Sequence, residues 1–218
     1  MAKQQMRERS ARDFFPKEVT LPTLREAAAG CRGCDLWRRG TQTVFGEGPR
    51  QAPLMLVGEQ PGDEEDLAGR PFVGPSGRLL DQALGEAGIE RADSYLTNVV
   101  KHFKWAGQRG RRRLHKKPST AEVGACLPWL EAEIDLVGPD VLLFLGSTAA
   151  KAVLGSDFSV TRMRGEWLES SLAPHVMATV HPSAILRITD SAGRRAAFRR
   201  YVQDFESVSR ALAAARAS

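Results

Sequence analysis

A short run of basic residues with one embedded histidine is the most informative stretch of the sequence. The run is Arg111-Arg112-Arg113-Leu114-His115-Lys116-Lys117. Its charge suits contacts to phosphate groups, and a histidine can act as a base or a nucleophile near neutral pH. Residues 104–117 contain glycines and few apolar side chains, which predicts an exposed loop. Taken alone, this pattern is more typical of a solvated basic loop whose histidine has no chemical role.

Two turns elsewhere in the chain hold side chains that can do acid–base chemistry. One turn is Gly58-Glu59-Gln60-Pro61-Gly62-Asp63, and the other is His181-Pro182-Ser183. Neither has the glycine and lysine spacing of the common phosphate-binding loops. A carboxylate in a turn, or a histidine at the end of an apolar run, is by itself often only structural. Both turns at one edge of a single sheet would instead indicate a functional site.

The order of apolar runs and helical patterns predicts a sheet that brings these turns together. Buried strands are expected over residues 53–57, 94–100, 140–145 and 175–180. Helices are expected over 24–29, 79–87 and 194–216, with two more beginning at the Ser119–Glu122 capping box and near Ser147. This alternation predicts a single three-layer α/β/α domain with a central four-stranded parallel sheet. Ligands bind beyond the carboxyl ends of such strands, where both turns would lie.

Composition limits the classes of protein to consider. The net charge of +5 favours a polyanionic partner. No window approaches 18 consecutive apolar residues, so a membrane-spanning segment is not expected. Residues 1–12 are polar and basic, unlike a secretory signal. We expect a cytoplasmic monomer with a flexible N-terminal arm over residues 1–20 and one domain over residues 21–218.

The three cysteines indicate a metal site better than a disulfide. They are Cys31, Cys34 and Cys126, and an odd number in a cytosolic chain argues against a disulfide framework. Cys31 and Cys34 have the spacing at which two thiolates reach one metal centre. A redox dithiol is the alternative, but such motifs usually follow a strand, whereas this pair follows a helical stretch and a glycine.

The two turns and the cysteine pair resemble the motifs of a known family. The stretches Gly58-Glu59-Gln60-Pro61-Gly62 and His181-Pro182-Ser183-Ala184-Ile185-Leu186-Arg187 resemble the two active-site motifs of the uracil-DNA glycosylase superfamily. The cysteine pair is similar to that of its iron–sulfur branch, family 4. Two features resemble the UdgX subgroup, which becomes covalently attached to uracil-containing DNA. They are His102, where family-4 enzymes have a cysteine, and the basic segment ending in His115, which those enzymes lack.

The resemblance implies a cofactor and a set of site residues. It implies a four-iron, four-sulfur (4Fe-4S) cluster held by Cys31, Cys34, His102 and Cys126. It implies catalytic roles for Glu59, Asp63, His115 and His181. Uracil contacts are implied for Gln60, Phe72, Asn98 and His181. DNA contacts are expected from Arg111, Arg112, Arg113, Lys116, Ser183 and Arg187.

The resulting hypothesis is that the protein excises uracil from DNA, with single strands favoured. His115 then attacks C1′ of the sugar in place of water, while Arg111, Arg112 and Arg113 hold phosphate and keep the imidazole uncharged. Two alternatives stay open. One is a turnover family-4 glycosylase that releases free uracil and uses the basic loop only to bind DNA. The other is a non-catalytic iron–sulfur module that binds nucleic acid.

Overall fold

A mostly parallel sheet between two layers of helices forms the centre of the protein. The computed structural model describes residues 9–216. The strands in chain order are β1 (Leu54–Gly58), β2 (Ser94–Asn98), β3 (Trp105–Arg109), β4 (Arg112–His115), β5 (Val141–Leu145), β6 (Trp167–Leu168) and β7 (His175–Thr179). The helices are α1 (Leu21–Ala29), α2 (Asp63–Ala68), α3 (Pro75–Glu86), α4 (Thr120–Val137), α5 (Ser147–Leu154), α6 (Val160–Met163), α7 (Pro182–Leu186) and α8 (Ser191–Arg216). No helix in the described part of the chain is long and apolar enough to cross a membrane.

The main sheet has the order β2-β1-β5-β7-β6. The four strands predicted from the sequence are its parallel members, and the predicted α/β/α fold is confirmed. The sheet has one strand more than predicted, because β6 pairs antiparallel with β7 at the edge. β6 is two residues long, which is too short to give a periodic pattern in the sequence.

Burial on both faces explains why the parallel strands are continuous apolar runs. Met55 and Val57 of β1 face a cluster that includes Trp129 of α4, and Leu54 and Leu56 face the opposite cluster with α3 and α8. The predicted helices are also confirmed, including the start of α4. There the Ser119 hydroxyl accepts the backbone N–H of Glu122, whose carboxylate accepts the N–H of Ser119.

The basic segment forms a hairpin, so the prediction of an exposed loop over residues 104–117 is wrong. β3 and β4 pair antiparallel, with Arg109 opposite Arg112. The turn between them uses Gly110 at φ 62°, a left-handed conformation that glycine adopts at no steric cost. Most side chains of both strands are exposed, so the apolar alternation that marks a half-buried strand is missing from the sequence.

The predicted N-terminal arm lies only partly within the described residues. Residues 1–8 are outside them, and for these the arm stays a prediction. From Ser10 onward the chain packs against α4: residues 11–14 form a 3₁₀ turn, Ala11 is fully buried, and Arg12 pairs with Glu131 at 2.8 Å. The structural domain therefore begins about ten residues before the predicted boundary at residue 21.

Candidate active site

The carboxyl edge of the parallel sheet collects the polar side chains of the candidate site. Glu59 follows β1, Asn98 ends β2, and His181 follows β7. Thr148 lies in the first turn of α5, directly after β5. The hairpin adds His115, the last residue of β4. The sequence prediction that Glu59 and His181 share one sheet edge is confirmed.

Glu59 and His115 are in direct contact. The two atoms His115 Nε2 and Glu59 Oε1 are 3.2 Å apart, and the Glu59 side chain is 19% exposed. Burial acts to raise the pKa of Glu59, but hydrogen bonds from His115 and Thr148 bring it below its usual value. Glu59 is therefore a carboxylate near neutral pH and can accept a proton from the imidazole.

His181 is held as a neutral imidazole of defined tautomer. Its Nδ1 accepts the backbone N–H of Ser183, at 3.2 Å, so Nδ1 carries no proton. Desolvation lowers the pKa of His181 to about 4; the carboxylate of Glu59 opposes this shift, and the guanidinium of Arg187 adds to it. The single proton of the ring is thus on Nε2, which can donate a hydrogen bond to a ligand at the sheet edge.

Phe72, Asn98 and Gly58 form a recess suited to a planar ring. Phe72 adopts φ 54°, an uncommon value for a bulky residue, and its ring centroid lies 6.4 Å from that of His181. A Cβ at Gly58 would lie 2.4 Å from Asn98 Oδ1 and 2.6 Å from Phe72 Cζ, so glycine keeps this space open. Asn98 is 3% exposed, and its side-chain oxygen borders this space.

Gln60 fastens the two ends of the hairpin rather than facing the recess with its side chain. Its Nε2 donates to the carbonyl oxygens of Lys104 and Lys116, each at 3.1 Å, and its Oε1 accepts the N–H of Lys104. The side-chain amide is therefore fully engaged. The predicted contact of Gln60 with uracil stays a prediction, and it would have to involve the backbone of this residue.

Arg113 is an internal anchor of the hairpin, which corrects its predicted role as a DNA contact. Its side chain is 12% exposed and pairs with Asp63 at 2.5 Å and with the fully buried Asp66 at 2.8 Å. The guanidinium also lies over the rings of Phe103 and Trp105. Two carboxylates already neutralise Arg113, so its charge is not available to phosphate.

The same contacts give Asp63 a structural role, and the catalytic role predicted for it stays a prediction. Its carboxylate accepts both the backbone N–H and the Nε–H of Arg113, whereas Glu59 is the carboxylate that touches His115. Asp63 therefore positions the hairpin on α2. The remaining predicted DNA contacts lie on the surface: Arg111, Arg112, Lys116 and Arg187 are exposed, and Arg187 donates to the Ser183 hydroxyl at 3.2 Å.

The three cysteines lie near one another beneath the end of β2. Burial raises the pKa of Cys126 to about 12, and the neighbouring sulfurs of Cys34 and Cys31 add to the rise. The sulfur of Cys126 accepts the N–H of Lys101 at 3.3 Å, and that of Cys31 accepts the indole N–H of Trp129 at 3.4 Å. Such N–H donors stabilise thiolate ligands of iron–sulfur clusters.

The fourth predicted ligand, His102, is chemically suitable. Burial lowers its pKa to about 4, so the imidazole is neutral, and its Nε2 lies 2.9 Å from the Thr43 hydroxyl. Within residues 9–216, no three or more His, Cys, Asp or Glu side chains converge closely enough for a single metal ion. The 4Fe-4S cluster and its four ligands therefore stay a prediction from the sequence.

Sequence reasoning missed two residues of the site, Thr148 and Asp66. The sequence predicts a strand over residues 140–145 and a helix beginning near Ser147, and Thr148 is the next residue, so the signal lies one position away. Asp66 belongs to α2, whose sequence begins with four acidic residues and has no apolar stripe. Glu65 and Asp66 are buried and Glu64 is exposed, and nothing in that run of acids distinguishes them in the sequence.

Replacing Thr148 with valine should weaken the function of Glu59. The variant loses a hydroxyl donor that favours the ionised form of Glu59, so at a given pH more of this carboxyl is protonated and unable to accept a proton. The pKa of Glu59 should rise, which moves the acidic limb of the pH–rate profile to higher pH. Thr148→Ser keeps the hydroxyl and should retain the wild-type profile; a valine variant with that same profile would contradict the contact.

Comparison with known proteins shows that the chain is similar to uracil-DNA glycosylases. Residues 45–206 match the family model described as the uracil DNA glycosylase superfamily. The type-4 uracil-DNA glycosylase of Thermotoga maritima is 37% identical over 183 residues, covering 84% of this chain and 91% of that protein. The type-4 enzyme of Sulfurisphaera tokodaii is 37% identical over 77% of this chain and 76% of its own length. The type-5 enzyme of Thermus thermophilus is 30% identical over 70% and 73%.

Proposed function

The chain belongs to the uracil-DNA glycosylase superfamily, and we propose that it excises uracil from DNA and then retains the abasic sugar through a covalent bond to His115. The contact of His115 with Glu59, at the same sheet edge as His181, is the observation that supports the second step. Excision itself is supported by the superfamily and by the names of the type-4 relatives. The substrate is uracil-containing DNA, with single strands favoured.

Base excision uses the recess between Phe72 and Asn98. A base within a duplex must be turned out of the stack before a protein can act on it. In the recess, the ring of Phe72 stacks on uracil, and the amide of Asn98 reads its Watson–Crick edge. The Nε2–H of His181 donates to O2, where negative charge develops as the glycosidic bond breaks, and a donor of this kind contributes ~3–4 kcal/mol to the transition state.

Covalent trapping completes the proposed reaction. The C1′–N1 bond breaks and its electron pair leaves with uracil, which takes a proton from solvent. A ring nitrogen of His115 then donates its lone pair to C1′. The resulting imidazolium loses its ring proton to Glu59, and a neutral N-alkylated imidazole is a poor leaving group, so the adduct persists.

The hairpin supplies the rigidity that this attack needs. Gln60 ties the ends of the hairpin to the turn that follows β1, which is the turn that carries Glu59. Arg113 fixes the hairpin to α2, two residues before His115. Gln60 and Asp63 lie shortly after Glu59 in the chain, and both hold the hairpin that carries His115. His115 and Glu59 are therefore fixed relative to each other, which favours attack by His115 over attack by a mobile water.

Intact mass measurement after mixing with a short uracil-containing oligonucleotide tests the proposal. A mass equal to protein plus DNA minus uracil supports both excision and trapping. A turnover glycosylase is the second candidate, because the type-4 relatives resemble the chain over most of its length. It predicts unmodified protein with free uracil released over many cycles, and that outcome would refute the trapping step.

We also propose that Cys31, Cys34, His102 and Cys126 hold a 4Fe-4S cluster. The buried sulfurs with N–H donors and the neutral imidazole of His102 support this ligand set. The cluster would cross-link the segment around Cys31 to the end of β2 and to α4. Its contribution here is to stabilise the fold beneath Asn98, and the residues of the recess carry out the chemistry.

Replacing Arg113 with glutamine should destabilise the protein by ~3 kcal/mol. The change leaves the buried carboxylate of Asp66 without its cation, and an uncompensated buried charge is costly. For a chain of this size the midpoint of thermal unfolding should fall by about 6–12 °C. Arg111→Gln removes an exposed arginine from the same hairpin and should leave the midpoint within about 1 °C. Equal midpoints for the two variants would exclude the anchor role.

A further inference from the structure

The first half of α8 presents an uncompensated basic surface. Between Asp190 and Asp204 the chain has no acidic residue and four arginines. These are Arg194, Arg195, Arg199 and Arg200, and all four are exposed. None of them forms an ion pair with another described residue. The reaction proposed above uses none of these arginines.

Several arginines elsewhere on the surface are paired. Arg70 binds Glu47, Arg78 binds Glu64, and Arg164 binds Asp204, each within 3.1 Å. The acidic groups that flank the basic surface in the sequence have other partners. Asp190 accepts the backbone N–H groups of Ala192 and Gly193 at the start of α8, and Asp204 is the partner of Arg164.

Arg195 and Arg199 lie on one face of the helix, four residues apart. Like charges at this spacing repel each other and destabilise a helix. Glu206 is the first acidic side chain farther along this side of α8, two turns beyond Arg199. Folding therefore gains nothing from this pair of cations, whereas an anionic partner would bind both.

The basic surface begins at the end of α8 that is connected to the candidate active site through α7. α8 follows α7, which begins directly after His181, and Arg187 at the end of α7 donates to Ser183. Arg194 is seven positions after Arg187 in the chain, a span of at most ~25 Å. A DNA strand of about seven nucleotides, at ~3.4 Å each, covers this distance. At its other end, α8 reaches Asp93 on the amino side of the sheet, 3.7 Å from Arg216.

We propose that Arg194, Arg195 and Arg199 bind phosphates of the DNA strand that flanks the reacting nucleotide. The inference rests on the proposed function for the identity of the strand. The hairpin arginines Arg111 and Arg112 and the α8 arginines then hold the backbone at separate points, with the recess in between. The contacts are to phosphate only, so this surface adds affinity without sequence preference.

The double variant Arg195→Gln/Arg199→Gln tests the surface. Glutamine is a good helix former, so α8 should stay intact. Affinity for a fluorescent 20-nucleotide oligothymidine without uracil is measured by anisotropy between 50 and 200 mM salt. Two lost phosphate contacts should make the slope of log affinity against log salt shallower by about 1.4. Over this fourfold salt range, the wild type should lose about sevenfold more affinity than the variant.

Arg50→Gln/Arg210→Gln is the matched control, because it removes the same charge from exposed arginines. Arg50 precedes β1 on the amino side of the sheet, and Arg210 lies in the distal half of α8. The control should keep the wild-type slope. An unchanged slope in the Arg195/Arg199 variant, or an equal loss in the control, would overturn the proposal. Since the oligonucleotide holds no uracil, the result is independent of whether the wild type excises uracil or forms an adduct.

Discussion

Replacement of His115 by alanine should abolish the covalent adduct with uracil-containing single-stranded DNA while free uracil is still released. The variant removes the only proposed nucleophile but leaves His181, Asn98 and Phe72 in place. Water then takes the position of the imidazole at C1′, and the protein should turn over. On a denaturing gel the shifted band should fall from stoichiometric to undetectable, and uracil release in a single turnover should stay within about tenfold of wild type.

His175→Ala provides the control for this variant. His175 begins β7 on the amino side of the sheet and packs against Trp167. Its replacement should leave the adduct yield unchanged. A shifted band that survives in His115→Ala would show that another residue is the nucleophile, whereas loss of uracil release in that variant would show that His115 is needed to break the glycosidic bond.

The sheet and its reactive edge could be predicted because their signals are local. Strands buried on both faces must be apolar at nearly every position, so four runs were visible without any tertiary information. The parallel arrangement then placed the residues after each strand at one edge. The sequence alone therefore predicts that Glu59 and His181 lie at the same edge of the sheet.

The hairpin could not be predicted because long-range contacts stabilise it. Gln60 and Asp63 precede it by about fifty residues, and each uses its polar atoms on the hairpin rather than on a ligand. From the sequence, both residues belong to a motif that indicates an active site. Only the structure shows that Glu59 touches His115 while Asp63 neutralises Arg113, which divides one acidic turn into a reactive and a supporting part.

Charge alone was likewise insufficient to assign the arginines of the basic run. Arg111, Arg112 and Arg113 are consecutive, but strand geometry sends alternate side chains to opposite faces. Arg113 points toward α2, where it is largely buried, and Arg112 points outward. The hairpin therefore gives neighbouring arginines different roles: Arg113 anchors the hairpin, and Arg112 is a predicted phosphate contact.

Replacement of His181 by alanine should lower the rate of uracil release by about 10²–10³-fold, because it removes one preorganised donor to the developing oxyanion. Adduct formation should fall by the same factor, since the sugar cannot be attacked before the base departs. His181 is also the N-cap of α7. His181→Asn retains an acceptor for the Ser183 N–H but lacks a donor at the Nε2 position, so it should show the same rate loss with little loss of stability.

The pH dependence of stability tests whether the imidazole of His181 is desolvated, independently of its role as a donor in uracil release. Its pKa is about 4 in the folded protein and ordinarily 6.5, so between these values the unfolded chain binds a proton that the folded protein does not. Stability is therefore full above pH 6.5 and falls as the pH decreases toward 4, by up to ~3 kcal/mol from this residue. Urea unfolding of His181→Asn should show a shallower acid loss than wild type. Parallel curves would mean that the imidazole is not desolvated, and the neutral Nε2–H donor would lose its physical basis.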